Sequence, residues 1–205
     1  MAGMLQRSNR LAWILWILVS VLAAIGGALV TWRIRGLILR GPGSTQDLLR
    51  DLGTVVDALL FSGAQWLLLR RCRLEVYWWV PATVIAAIAN AILIVPSTLN
   101  LFIDPRATGP VGAGSAVIAG AAALATAGLV VGTAQALVLR HSGGNAAWLW
   151  IPATILGGAL AGAFTTALSS QLYGLPAVGT ISVVAAAAAL FTAASQAPVL
   201  QRLVR

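Results

Sequence analysis

Long runs of apolar residues alternate along the chain with short polar or arginine-containing connections. Six runs are long enough to be membrane helices, and we predict spans at about 11–31, 53–70, 77–95, 114–140, 147–169 and 176–200. A helix needs about 20 mainly apolar residues to cross the hydrocarbon core of a bilayer. The runs lack the alternation of a membrane barrel strand. The pattern therefore predicts an all-α integral membrane protein, a six-helix bundle that forms one transmembrane domain over residues 1–205.

Two stretches leave the helix boundaries open. In residues 33–52 apolar residues alternate with arginines, and Gly41-Pro42-Gly43 interrupts them, which is typical of a segment lying in the membrane interface. A segment that dips into the membrane fits the same residues. The long fourth run contains Gly120, where its helix could break. The N-terminal run follows basic residues as in a signal peptide, but its length of about 20 residues favours a retained first helix.

The composition excludes an ordinary soluble domain. The chain is 60% hydrophobic and only 9% charged, with a mean hydropathy of +0.92, whereas soluble domains are about one quarter charged. The net charge of +8 comes from 13 basic residues, all arginine, that cluster at the ends of apolar runs. That placement favours topology and contact with lipid headgroups. With no soluble basic domain, we expect no nucleic-acid partner.

The arginines also predict an orientation. An even number of helices places both termini on one side of the membrane, and that side carries eight arginines against five on the other. The positive-inside rule then places both termini in the cytoplasm. The eight tryptophans all fall near predicted helix ends, as expected for the aromatic belts at both interfaces.

A repeated motif organises the chain. Gly63 to Thr83 ends one run with Gln-x-x-x-Leu-Arg and opens the next with Trp-x-Pro-Ala-Thr, and Thr133 to Thr154 repeats this order. Taking odd and even helices separately extends the match to three helical hairpins, loosely at both chain ends. Each hairpin places a glutamine on its even helix and a hydroxyl on its odd helix: Gln65 with Ser20, Gln135 with Thr83, and Gln196 with Thr154. Packed around a pseudo-threefold axis, these side chains would form a polar ring.

The polar ring has two interpretations. It can contact a solute, or its glutamines can serve only to join helices, since an interhelical hydrogen bond in a membrane contributes about 0.6 kcal/mol on average. Thr83 and Thr154 follow a proline and can also bond back to a carbonyl of their own helix. Asn90 stands seven residues after Thr83, on the same helix face. It is either part of the site or another interhelical hydrogen bond.

Asp57 is the acidic residue predicted within a span. An ionisable group at a helix centre costs about 2.5 to 3.5 kcal/mol on insertion scales, so such a residue is by default a candidate for function. Asn90 is one candidate partner for its carboxylate. Alternatively, Asp57 reaches the outer interface and pairs with Arg50 or Arg33.

Catalytic constellations are absent from the sequence. There is one histidine, His141, and one cysteine, Cys72, so neither a multi-histidine metal site nor a disulfide is expected. No phosphate-binding loop with a lysine and no Ser-His-acid set occurs. We therefore expect no catalytic residue, no metal and no enzyme activity. Cys72 lies among arginines that can lower its pKa, or it is a bystander in an interfacial loop.

The motifs Gln-Trp-x-x-Leu-Arg-Arg at Gln65 and Trp-Trp-x-x-Ala at Trp78 resemble those of a group of bacterial polytopic membrane proteins with hairpin repeats. The resemblance implies the hairpin organisation and no catalytic residue. Our first hypothesis is an accessory or scaffold subunit of a larger membrane complex, contacting partner helices or a second copy, lipid, or an apolar pigment, with no required cofactor. The alternative is a carrier or binding component for a small solute or ion, with a glutamine-lined site and Asp57 coupled to a proton or cation.

Overall fold

The computed structural model describes residues 2–38, 44–72, 74–94, 113–169, 171–172 and 176–203. Within these residues the chain is all-α and contains six α-helices: α1 Ala2–Ile38, α2 Ser44–Arg71, α3 Trp79–Ala89, α4 Ala113–Gly143, α5 Trp150–Ser169 and α6 Ala177–Leu203. A π-helical segment, Asn90–Ile94, continues α3. A 3₁₀ segment, Gly144–Leu149, joins α4 to α5.

Five helices in the described part of the chain are long and apolar enough to cross a membrane. They are Leu11–Ile34, Leu52–Arg71, Gly114–His141, Asn145–Leu168 and Ala177–Leu203. The third predicted span coincides with a shorter apolar helix, Trp79–Ile92. Together these helices indicate a multi-pass membrane protein, and the count of six spans stays a prediction.

The helices extend beyond several predicted boundaries. The first continues to Ile38 and the second begins at Ser44, so most of the predicted interfacial segment 33–52 belongs to the ends of two helices. The proposed interruption at Gly41-Pro42-Gly43 lies outside the described residues. The fourth helix passes Gly120 without a break, because that glycine lies against α5 instead of ending its own helix.

Successive helices pack against each other around a closed ring. Each of α1 to α5 contacts the helix that follows it in the chain, and α6 returns to pack against α1. The α4 and α5 pair is held closest, because glycines on both helices remove the side chains that would separate them. A Cβ atom on Gly158 would collide with the carbonyl oxygen of Leu124, and one on Gly162 with that of Gly120. Two pairs of glycines four residues apart, Gly128 with Gly132 on α4 and Gly158 with Gly162 on α5, thus lie in the contact between these two helices.

We expect Gly158→Ala to lower the free energy of unfolding by about 1–3 kcal/mol, because the added methyl group meets a backbone carbonyl that cannot move without separating two helices. Gly63→Ala is the matched control, since a Cβ atom there has nothing within 4 Å and alanine favours a helix by up to about 1 kcal/mol. Unfolding of both variants can be followed by circular dichroism in detergent. Equal stability of the two variants would contradict the close contact between α4 and α5.

Candidate functional site

Three tryptophans meet at the centre of the bundle. Trp16, Trp79 and Trp150 are each 0% exposed, and their ring centroids lie 5.5 to 6.3 Å apart. Interplanar angles of 74° to 80° make all three contacts edge-to-face, the arrangement that aromatic quadrupoles favour. We call these residues the tryptophan cluster. The prediction that every tryptophan belongs to an interfacial belt is wrong for these three, since the odd helices turn this repeated position towards the bundle axis.

The three glutamines lie beside the tryptophan cluster, and each bonds to the hydroxyl on the odd helix of its own predicted hairpin. Their Nε2 atoms donate to the hydroxyl oxygens over closely similar distances: Gln65 to Ser20 at 3.1 Å, Gln135 to Thr83 at 3.1 Å and Gln196 to Thr154 at 3.0 Å. All six residues are buried. We call these six residues the glutamine layer. Each glutamine is thus bonded to the hydroxyl at the equivalent position of the same hairpin.

Gln135 also ties the layer to the tryptophan cluster. The indole Nε1 of Trp150 donates to its Oε1 over 2.8 Å, so this one side chain bonds to helices on both sides of it. Among the described residues, the Oε1 atoms of Gln65 and Gln196 and the Nε1 atoms of Trp16 and Trp79 are buried without a hydrogen-bond partner. Because a buried polar atom without a partner is costly, Gln135 is the best satisfied member of the layer.

A cavity of about 440 Å³ occupies the bundle on one side of the glutamine layer. All six helices line it, and most of the lining residues are alanine or glycine. Thr83 and Thr154 of the glutamine layer line it, so the layer borders the cavity at that end. The polar or ionisable side chains in its wall are Thr54, Asp57, Thr83, Thr154 and Thr192.

Most of these hydroxyls bond within the protein. Thr154 donates to the carbonyl of Trp150 over 2.8 Å, which is the back-bond that its place after a proline suggested. Thr192 donates to the carbonyl of Ala188 over 2.9 Å. Thr83 accepts from Gln135. The hydroxyls therefore satisfy the helices and the glutamine layer, and the wall that they leave is mainly apolar.

Asp57 lies in this wall, held from α1. The hydroxyl of Thr31 donates to its Oδ1 over 2.9 Å and lies 3.2 Å from the carbonyl oxygen of Gly53. Gly27 faces the same carboxylate, because a Cβ atom there would lie only 2.8 Å from Asp57 Oδ1. The glycine thus makes room for the carboxylate between α1 and α2. No sequence pattern marks Thr31 as its donor.

The predicted partners of Asp57 lie elsewhere or outside the described side chains. The guanidinium of Arg33 stacks on Trp32, 5.3 Å from the ring centroid, and the side chain of Arg50 is outside the described residues. Asn90 is buried at the start of the π-helical segment. It is not among the residues that line the cavity, and its Oδ1 has no partner within the described chain.

The end of the bundle beyond the tryptophan cluster carries arginines stacked on exposed or half-buried tryptophans. Arg70 lies 5.0 Å from the ring centroid of Trp66, and Arg140 lies 5.5 Å from that of Trp148.

Burial raises the pKa of the Cys72 thiol above its usual value. This direction favours Cys72 as a bystander in the loop over an activated thiolate. No group of three potential metal-ligating side chains occurs in the described part of the chain.

Comparisons with protein-family models, with curated proteins and with solved structures found no match. Three features of the chain itself bear on its function: the cavity, the carboxylate of Asp57 in the cavity wall, and the glutamine layer that borders one end of the cavity.

Proposed function

We propose that this chain is a non-enzymatic membrane protein that holds a small solute in its central cavity, as a carrier or as the substrate-binding component of one. The observation that carries this proposal is the cavity itself. Its volume of about 440 Å³ falls in the range of about 300–1,000 Å³ that is typical of ligand sites. Protein interiors are ordinarily close-packed, and here alanine and glycine from all six helices keep the centre open.

The glutamines have a supporting role in this proposal. Their Nε2 atoms are already bonded to hydroxyls, and Gln65, Gln135 and Gln196 are at most 2% exposed. A solute could reach them only by breaking buried hydrogen bonds. We propose that they join helices and close the cavity, and that the solute contacts the wall formed by Asp57 and the small residues.

We also propose that the bundle consists of three related hairpins around a pseudo-threefold axis. Three similar glutamine-to-hydroxyl bonds and three similar indole contacts support it. In the same pattern as Trp150 and Gln135, Trp79 would donate to Gln65 and Trp16 to Gln196. These are four of the buried atoms that lack partners in the described chain.

A second candidate is the accessory or scaffold subunit that the sequence favoured. The surface of α3 favours this candidate. Together with the residues before it and the π-helical segment after it, α3 presents large apolar side chains outward: Tyr77 is 74% exposed, Trp78 72%, Ile85 66% and Ile92 53%. Lipid or a helix of a partner subunit would cover such a face.

The arginines beyond the tryptophan cluster support a cytoplasmic location for that end, and with it for both termini, in a bacterial inner membrane.

Native mass spectrometry of the full chain, purified gently from its own membrane, separates the two candidates. Ala188 lines the cavity, so Ala188→Phe should place a bulky ring in the cavity and displace a bound small molecule. The matched control is Ala194→Phe, six residues further along α6, where the side chain is exposed. We expect the wild type and Ala194→Phe to carry the same small molecule and Ala188→Phe to have lost it. Stoichiometric partner subunits and equal small-molecule occupancy in all three proteins would support the accessory role instead.

A further inference from the structure

Asp57 is the one ionisable residue among the described residues that line the cavity. Its neighbours in the wall are threonines, small aliphatic residues and one aromatic ring, Phe61. A carboxylate in a mainly apolar wall favours a positive ligand and repels an anion more strongly than it would in water. The sign of the charge in the wall thus restricts the class of solute.

We propose that the solute of this cavity is an organic cation with an apolar body, such as a protonated amine or a quaternary ammonium, whose charge lies against Asp57. This inference rests on the proposed solute-binding function and deepens it. The apolar body fills the alanine- and glycine-lined volume, and the charged group takes the carboxylate. No covalent step is involved.

The position of Asp57 fits a counter-ion. Thr31 and Gly27 fix the carboxylate from α1, by a hydrogen bond and by the space that glycine leaves. A carboxylate has about four acceptor positions, so a ligand can bind to it while its existing interactions within the protein, the bond from Thr31 among them, persist. A fixed carboxylate costs a ligand less ordering than a mobile one.

The aromatic ring of Phe61 supports an ammonium group over other charged groups. Phe61 stands four residues after Asp57 on α2, so the two side chains share a helix face, and both line the cavity. The face of an aromatic ring attracts a cation within about 6 Å of its centre, and quaternary ammonium groups are commonly recognised in this way.

A bare metal ion fits the same wall less well. Hard cations such as Ca²⁺ and Mg²⁺ take six or more oxygen ligands. The wall offers the carboxylate of Asp57 and a few threonine hydroxyls, and those of Thr83, Thr154 and Thr192 already bond within the protein. An organic cation brings its own apolar surface and needs few oxygen partners.

The test uses three probes of nearly the same shape and different charge: benzyltrimethylammonium, its neutral carbon analogue neopentylbenzene, and the anion benzylsulfonate. Binding of radiolabelled benzyltrimethylammonium to the full chain is measured in nanodiscs of neutral lipid, with the other two as competitors. We expect saturable binding of the cation that unlabelled benzyltrimethylammonium displaces at least tenfold better than either competitor. Equal displacement by neopentylbenzene or benzylsulfonate, or no saturable binding, would overturn the proposal.

The variant arm uses Asp57→Asn, which keeps the shape of the side chain and an acceptor for Thr31. Its matched control is Glu75→Gln, which removes the same charge from an exposed position outside the cavity. We expect affinity for benzyltrimethylammonium to fall about tenfold or more in Asp57→Asn and to change less than twofold in Glu75→Gln. The same affinity in both variants would overturn the proposal. If Asp57→Asn does not fold, the three probes on the wild-type protein decide alone.

The two proposals fail in different ways. If Ala188→Phe loses a bound molecule that Asp57→Asn keeps, the cavity binds a solute and the organic cation is wrong. If Ala188→Phe and Ala194→Phe carry the same molecule, the cavity is not the binding site and the solute-binding function itself fails.

Discussion

Trp150→Ala is expected to destabilise the bundle by about 3–5 kcal/mol, the cost typical of removing a large aromatic side chain from a core. Trp150 is fully buried, contacts both other indoles of the tryptophan cluster, and donates the hydrogen bond that Gln135 accepts. Its loss leaves a cavity and an unsatisfied amide oxygen at the same place. Unfolding in detergent, followed by circular dichroism, measures the change.

The control for this variant is Trp148→Ala, two residues earlier in the chain. Trp148 is 40% exposed and stacks on Arg140, so its removal should cost less than about 1 kcal/mol. If the two tryptophan variants were equally stable, Trp150 would be an interfacial residue like its neighbour, and the tryptophan cluster would not hold the helices together.

Gln135→Leu should lower the free energy of unfolding by about 2–4 kcal/mol, because it leaves the indole N–H of Trp150 without its acceptor and removes the donor to Thr83. Each buried polar group that loses its partner costs about 1–3 kcal/mol. Gln65→Leu should cost less, since within the described chain only the bond from its Nε2 to Ser20 would be lost. Thermal unfolding of both variants and the wild type gives the order.

The same variants distinguish the two interpretations of the glutamines. If Gln135→Leu and Gln65→Leu were as stable as the wild type yet released the bound small molecule, the glutamines would contact the solute, and their proposed structural role would be wrong. The control is Gln201→Leu, because Gln201 is half-buried and lies outside the glutamine layer. It shows how far an added leucine alone changes stability or binding.

The sequence predicted the helical class and most spans because apolar runs of about 20 residues and their arginine flanks are local signals. The repeat also placed Gln65, Gln135 and Gln196 and three hydroxyls at equivalent positions on adjacent helices. In the structure each glutamine bonds to one of these hydroxyls. The sequence did not predict the π-helical segment at Asn90, which depends on how α3 ends.

The tryptophan cluster and the cavity were not predictable in the same way. Trp16, Trp79 and Trp150 have the same local surroundings as interfacial tryptophans, and only the packing of three helices turns them inward. A cavity is the space left between helices, so no single run of alanines and glycines reveals it. Asp57 was identified because an intramembrane carboxylate is rare, whereas its donor Thr31 lies 26 residues away.

The measurement that tests the central claim most directly is an experimental structure of the full chain purified from its native membrane without exchange of bound molecules. We expect non-protein density within the central cavity, touching several helices and ending at the carboxylate of Asp57, with the tryptophan cluster and the glutamine layer intact beneath it. A centre filled by the protein's own side chains, or by a helix of a partner subunit, would contradict it.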